Sequence, residues 1–247
     1  MPDPILLQSL LPDTPIQAPE ETASTNTDAR RWLQSGAAHG SLVAADRQTA
    51  GRGRLGRSFA SADGGLYMSV VIKSDLPAGV LTTLCAVAVR RAIRELTGRT
   101  ADIKWVNDLQ LKGKKICGIL CEGVWQGDRL LGVIAGIGLN ICQKTFPEGL
   151  RDIAASLYPD GCSPVSSAQF CAAIWKEIFT LLPQAPGHMA EYRQACVTLG
   201  QVYWENAAGR HEGLARDVDD TGALIIETAE GPVTLAAGEV SVRPLND

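Results

Sequence analysis

The stretch Gly51-Arg52-Gly53-Arg54-Leu55-Gly56-Arg57 constrains this chain more than any other. It has no apolar period, so it cannot hold a buried helix or strand by itself. Its glycines leave backbone N–H groups open to close approach. Its guanidinium forks suit bidentate contact with carboxylate or phosphate. Two readings of the segment alone stay open. One is a loop that folds around an anionic ligand. The other is a solvated turn, or an arginine-glycine arm of the kind that binds nucleic acid.

The flanks place the segment between two strands. Ser41 to Asp46 reads as the first, Gln48 leads into the loop, and the loop runs to about Asp63. Gly65 to Lys73 reads as a buried strand leaving it. A structureless connection of that length is uncommon unless it is functional. Upstream, Ser24-Thr25-Asn26 precedes a short helix predicted from Thr27 to Gln34, with Gly36 as its stop. The trio is either only a helix cap or a set of small groups for the polar end of a small molecule.

Leu81, Leu84, Cys85, Ala88, Ala92 and Leu96 mark one face of a helix ending at Gly98. Arg90, Arg91 and Arg94 are expected mostly to face solvent. Asp102 to Val106 reads as a strand with Ile103 and Trp105 on one side, and Lys104 and Val106 on the other. A lysine there, followed at once by Asn107-Asp108, is a site candidate. Leu109 to Leu111 and Lys115 to Val124 read as strands joined by Lys112-Gly113-Lys114. Simple alternation puts Lys115, Cys117, Ile119 and Cys121 on one face.

Arg129 to Ile141 reads as a further strand containing Gly136-Ile137-Gly138-Leu139-Asn140. No GxGxxG opens a helix here, so this is no dinucleotide fingerprint. Its glycines suit close approach of backbone or ligand. Two helices follow, one after Ser166-Ser167 and one around Gly187 to Leu199. From Gly200 short β-type runs recur between turn residues, which predicts a small barrel-like module of about fifty residues. The Pro-rich first twenty residues read as an arm around Ile5, Leu6, Leu7, Leu10 and Leu11.

Charge and cysteines narrow the classes. The formal net charge is −4, yet Leu199 to Asp247 alone holds three basic and nine acidic residues. An acidic tail does not suit general nucleic-acid binding. The seven cysteines are irregularly spaced without a CxxC pair, and only three histidines accompany them. Free thiols in a reducing cytoplasm are expected, and no structural zinc site. Pro2, Pro4 and Pro12 and the lack of positive charge argue against a secretory signal. The run Leu130 to Ile141, 12 residues with three glycines, is too short to span a membrane.

The loop, the corner Lys104-Trp105-Val106-Asn107-Asp108, Gly113 to Leu120 and Gly136 to Asn140 stand in one order. Together they resemble the biotin protein ligases (biotin–acetyl-CoA-carboxylase ligases). The resemblance covers Ser24 to Asn140. It continues in Asp220 to Leu224 and Gly238 to Ser241, which are similar to that family's SH3-like C-terminal module. It implies an α+β fold: a mixed β-sheet catalytic domain packed with helices on one side, over residues 1–198, and a small SH3-like β-barrel over 199–247. It also implies a two-step reaction. Biotin and MgATP give biotinyl-5′-AMP and pyrophosphate, and the acyl group passes to one lysine of a biotin carboxyl carrier protein of acetyl-CoA carboxylase.

By position, the resemblance assigns Ser24, Thr25, Asn26 and Gln48 to the ureido end of biotin. Arg52, Gly53 and Arg54 would lie over its carboxylate and the adenylate phosphate. Lys115 would contact both reacting oxygens, and Gly118 would let the valeryl chain pass. Arg54, Asp108 and Lys115 are the expected catalytic residues. Arg52, Arg57, Lys104, Asn107, Asn140 and Arg243 are expected around ATP. Mg²⁺ is expected with the nucleotide rather than in a dedicated protein site. Glu239 and Arg243 are the tail residues expected to serve the site. Val106 departs from the family's usual proline. No N-terminal DNA-binding module is expected, so neither is DNA as a partner. A homodimer through the sheet edges stays open. Two alternatives remain. A lipoate–protein ligase has a related fold but would lack this loop, and a non-enzymatic module would use the loop on RNA.

Overall fold

The structure is a computed structural model that describes residues 3–206, 209–236 and 242–244, with backbone alone for 206, 243 and 244. The first part contains α1 (Pro4–Leu10), β1 (Ile16–Gln17), β2 (Glu21–Thr22), α2 (Thr25–Gln34), β3 (Leu42–Ala45), β4 (Arg47–Gln48), β5 (Gly65–Ile72) and α3 (Ala78–Thr97). Then come β6 (Asp102–Lys104), β7 (Asp108–Leu111), β8 (Lys114–Gln126), β9 (Arg129–Asn140), α4 (Ser167–Leu181) and α5 (Met189–Ala195). The tail supplies β10 (Gly200–Asn206), β11 (Gly209–Val218), β12 (Leu224–Thr228), β13 (Gly231–Leu235) and β14 (Val242–Pro244).

The main sheet has seven strands in the order β1-β3-β5-β9-β8-β7-β6, parallel only at β1–β3. Alternation along β3 and β5 sorts its two faces. Leu42, Ala44, Leu66, Met68, Val70 and Ile72 join the large core with α3 and α4. Val43 and Val71 join Ala29 and Leu33 of α2 in a second core. Helices therefore cover both faces, not one as the resemblance implied. The α2 face is the one left partly open for a ligand.

Local chemistry accounts for the elements. In α3, Gly98 closes the last turn at φ 68°, a left-handed cap that favours glycine. Ser166 and Gln169 form a capping box at the start of α4. The N-terminal arm holds a short helix, α1, capped by Asp3, with Leu7 and Leu11 buried. Arg90 and Arg91 do not simply face solvent as expected. They pair with Glu191 of α5 at 2.9 and 2.8 Å and so bind α3 to α5.

One departure from regular strand geometry decides the site. Leu109 of β7 faces Cys117 and Gln110 faces Lys115, so Ile116 of β8 has no partner. This bulge breaks the alternation. Ile116 and Cys117 both enter the large core, whereas Lys115 turns to the opposite face with Gly118. The expected face shared by Lys115 and Cys117 is thus corrected.

The tail forms one antiparallel sheet in the order β13-β12-β11-β10-β14. Among the described residues its outer strands do not pair with each other, so the expected barrel is not closed here. The tail docks on the first part. Trp105 Nε1 donates to the Gly222 carbonyl at 2.9 Å, and Arg193 Nε donates to the Val218 carbonyl at 2.6 Å. Arg193 also pairs with Asp220 at 2.5 Å. The main sheet has little free edge. β1 is two residues long, and β6 is covered by Cys196-Val197, whose Val197 N–H donates to Ile103 at 2.9 Å.

Candidate active site

A cavity of about 240 Å³ opens on the α2 face of the main sheet. Its wall includes Ser24, Thr25, Asn26, Gln48, Arg52, Gly53, Arg54, Arg57, Lys104, Asn107, Asp108, Lys115 and Gly118. Among the described side chains, every expected site residue except Asn140 is on that wall. Sequence positions 24 and 118 meet because α2 packs across the centre of the sheet.

The α2 side is a chain of small polar groups. Ser24 sits at the N-cap, but its side chain makes no capping bond. Gln48 takes that role instead. Its Oε1 accepts from the Thr25 N–H at 2.8 Å, and its Nε2 donates to Ser61 at 2.9 Å. Asn26 lies in the first turn and its side chain crosses to β8, where Nδ2 donates to Glu122 at 3.0 Å. The trio is therefore more than a helix cap. Ser69 of β5, absent from the sequence reading, links Thr25 and Asn26 at 2.8 and 2.6 Å.

The floor is built from glycines. Gly118 and Gly138 face each other across β8 and β9. A methyl at either would stand 2.8 or 2.5 Å from the Phe59 ring, and one at Gly136 would overlap the Asn26 carboxamide. The close approach expected for these glycines is made by the loop's own aromatic ring and by Asn26. Phe59 was missed in sequence because a lone aromatic at the end of a polar loop carries no pattern.

The opposite side carries the charge. Lys115 Nζ pairs with Asp108 at 2.6 Å and stands 5.6 Å from the centre of the Phe59 ring. Arg54 Nη1 donates to Asn107 Oδ1 at 3.0 Å, and Asn107 Nδ2 donates to the Ile119 carbonyl at 3.0 Å. Burial pushes the Arg54 guanidinium below its ordinary range, partly offset by Asp108. Arg54 Nη2 is buried without a hydrogen-bond partner among the described residues, a donor suited to an anionic oxygen in the cavity. Arg52 points elsewhere, to Glu122 at 3.1 Å.

Asn140 lies outside the wall. Its Nδ2 donates to the Ala155 carbonyl at 3.1 Å, and Ala155 in turn donates to the Lys115 carbonyl at 2.8 Å. It thus braces the segment behind Lys115. Arg243 is described only as backbone paired with Tyr203, although its neighbour Val242 reaches the cavity. Glu239 lies outside the described residues. Val106, buried, accepts a hydrogen bond from the Tyr192 hydroxyl at 3.1 Å.

A cavity with polar groups on one side and cations on the other suits a small ligand with a polar head and an anionic end. Residues 18–140 match the family described as Biotin/lipoate A/B protein ligase, and residues 209–243 match the Biotin protein ligase C terminal domain. Fold and site thus fall in the class of biotin and lipoate protein ligases. The bifunctional ligase/repressor BirA of Bacillus subtilis is 34% identical over 239 residues, covering 89% of this chain and 71% of that protein. The biotin–[acetyl-CoA-carboxylase] ligase of Mycobacterium tuberculosis is 31% identical over 235 residues, covering 89% and 86%. The Aquifex aeolicus biotin protein ligase, solved with biotin and ATP, superposes with a TM-score of 0.81 at 27% identity over 93% of this chain and 99% of that one. The chain belongs to the biotin protein ligase family.

Proposed function

We propose that the chain activates biotin with ATP to biotinyl-5′-AMP and passes the acyl group to a lysine of a biotin carboxyl carrier protein. The observation that carries this reading is the bulge at Ile116, which brings Lys115 beside Asp108 and into one cavity with Arg54 and the Thr25–Asn26 turn.

The first step brings two anions together. A biotin carboxylate oxygen attacks the α-phosphorus of ATP, and the bond to the β-phosphate oxygen breaks with loss of pyrophosphate. Lys115 and Arg54 offset that repulsion and hold the reacting groups in line. The α2 groups hold the ureido end and Gly118 leaves room for the valeryl chain. Lys104, Asn107 and Arg57 face the nucleotide, and Arg243 would join them from the tail. In the second step the neutral amine of the carrier lysine attacks the acyl carbon and AMP leaves. The loop over the mixed anhydride excludes water.

Among the described residues no cluster of three metal-binding side chains exists, and Asp108 is the one carboxylate on the cavity wall. A magnesium ion bound with the triphosphate would neutralise phosphate charge, and Asp108 is the wall residue whose carboxylate would help hold it. The described cysteines are all free, which supports a reducing, cytoplasmic setting. The division into 1–198 and 199–247, with an SH3-like second part, is supported by the change of sheet at Gly200. A homodimer through the main sheet would have little edge to use. No helix among the described residues is long and apolar enough to cross a membrane.

The test is pyrophosphate release from MgATP with biotin, with lipoate and with neither. Release with biotin alone is expected. Release with lipoate instead keeps the fold and overturns the substrate.

A further inference from the structure

Glu122 stands on β8 on the same face as Gly118 and Leu120, both of which line the cavity. Its side chain is 18% exposed and meets two arginines and one amide. Arg52 of the Gly-Arg loop pairs with it at 3.1 Å, Arg30 of α2 stands at 3.6 Å, and Asn26 Nδ2 donates to it at 3.0 Å. An acidic side chain on the inner face of a sheet, beneath a loop expected to bind anions, opposes the charge that the site needs. Its placement requires a reason.

We propose that Glu122 is a positioning residue of the biotin site, which moors the Gly-Arg loop through Arg52 and sets the hydrogen-bond direction of the Asn26–Ser69–Thr25 chain. This rests on the biotin reading above. An ionised carboxylate only accepts hydrogen bonds. It therefore turns the Asn26 NH₂ toward itself and the Asn26 carbonyl toward Ser69. The Ser69 hydroxyl, 2.6 Å from that carbonyl, spends its one proton there. The Thr25 hydroxyl then has two acceptors for its own proton, Ser69 at 2.8 Å and Gln48 Oε1 at 3.1 Å. Either choice leaves Thr25 with lone pairs for the cavity and no proton. The wall at Thr25 consequently takes an N–H donor, which a ureido ring offers and a dithiolane ring does not.

The arginine side acts on the loop. Arg52 is the first arginine of the segment, and its backbone bridges to Ser58 to close the loop's base. Holding its guanidinium on β8 fixes the loop relative to the Thr25–Asn26 turn. One carboxylate thus ties the two parts of the site that come from distant segments.

The test uses Glu122→Gln, which keeps shape and removes both the charge and the fixed acceptor character. The biotin KM should rise about tenfold, the worth of one charge-assisted hydrogen bond, while kcat for pyrophosphate release and the KM for ATP stay near wild type. Biotinyl-AMP should escape faster by a similar factor. Glu122→Asp should recover part of the loss. In a cycle with Arg52→Gln, the two losses in adenylate retention should be less than additive. An unchanged biotin KM and escape rate would overturn the inference. So would a matched rise in both KM values with a lowered Tm, the signature of a merely structural role. If the wild-type protein releases no pyrophosphate with biotin, the function reading fails instead. Tryptic cleavage of the loop without substrate then decides the mooring: faster in Glu122→Gln supports it, and an equal rate overturns it.

Discussion

Lys115 and Arg54 are the two cations whose surroundings are most specific. Lys115 is held by Asp108 at 2.6 Å above a glycine floor that admits no side chain. Lys115→Ala should lower the rate of adenylate formation about 10²- to 10³-fold, the usual loss for one preorganised electrostatic donor. A pre-steady-state pyrophosphate burst of normal rate would contradict that. Arg54 differs, since one of its nitrogens is committed to Asn107 and another is buried with no partner among the described residues. Its removal should weaken the hold on the product of the first step. Arg54→Ala is expected to release biotinyl-AMP about tenfold faster, as for a lost charge-assisted bond. Retention of labelled adenylate on the enzyme measures it.

At the scale of elements, the two central strands explain both what was legible in the sequence and what was not. The order of the motifs, the glycine pairs and the loop between two strands could be read directly. Each depends on residue type and spacing along one segment. The face of Lys115 could not, because the bulge at Ile116 follows from pairing with β7 and leaves no local mark. Glu122, Ser69 and Phe59 were missed for the same reason. Their roles arise from groups between 43 and 96 positions away in the chain, or from glycines on other strands. α2 was placed as a helix, yet its packing on the far face of the sheet needed the structure. Gly136→Ala tests this arrangement. The added methyl meets the Asn26 carboxamide, so the variant should lose about 1–3 kcal/mol of stability, as overpacked sites do, and bind biotin more weakly. Urea midpoints and biotin KM check both parts.

Across the whole molecule, the join between the main sheet and the tail sheet contains a buried histidine. His188 is 3% exposed and lies 2.9 Å from the Thr83 hydroxyl, which itself donates to the Val80 carbonyl. With the hydroxyl proton on Val80, Nε2 carries the ring proton, and Nδ1 is buried without a partner among the described residues. Burial pushes its pKa down to about 4 against an upward pull from Asp220, and the charges of Arg193 and Arg91 add to the lowering. A histidine whose folded value lies below its unfolded 6.5 contributes full stability above 6.5. It loses that contribution as pH falls through 6.5 toward 4, because the unfolded chain takes up the proton first. The loss approaches ~3 kcal/mol for a shift of this size. The difference in unfolding free energy between wild type and His188→Gln, measured from pH 7.5 to 4.5, should show that slope.

Trp105 sits on the same join with a different consequence. Its indole is 5% exposed, lines the cavity between Lys104 and Asn107, and gives its N–H to Gly222 of the tail. Indole emission depends on local polarity and on that hydrogen bond. The protein therefore carries a fluorophore that touches the Lys104–Asn107 side of the cavity and the tail at once. Filling the cavity with ATP should change its emission intensity, and detaching the tail should shift its wavelength to the red. Both signals should vanish in Trp105→Phe, which would let a fluorimeter follow ligand entry and tail movement in one unlabelled chain.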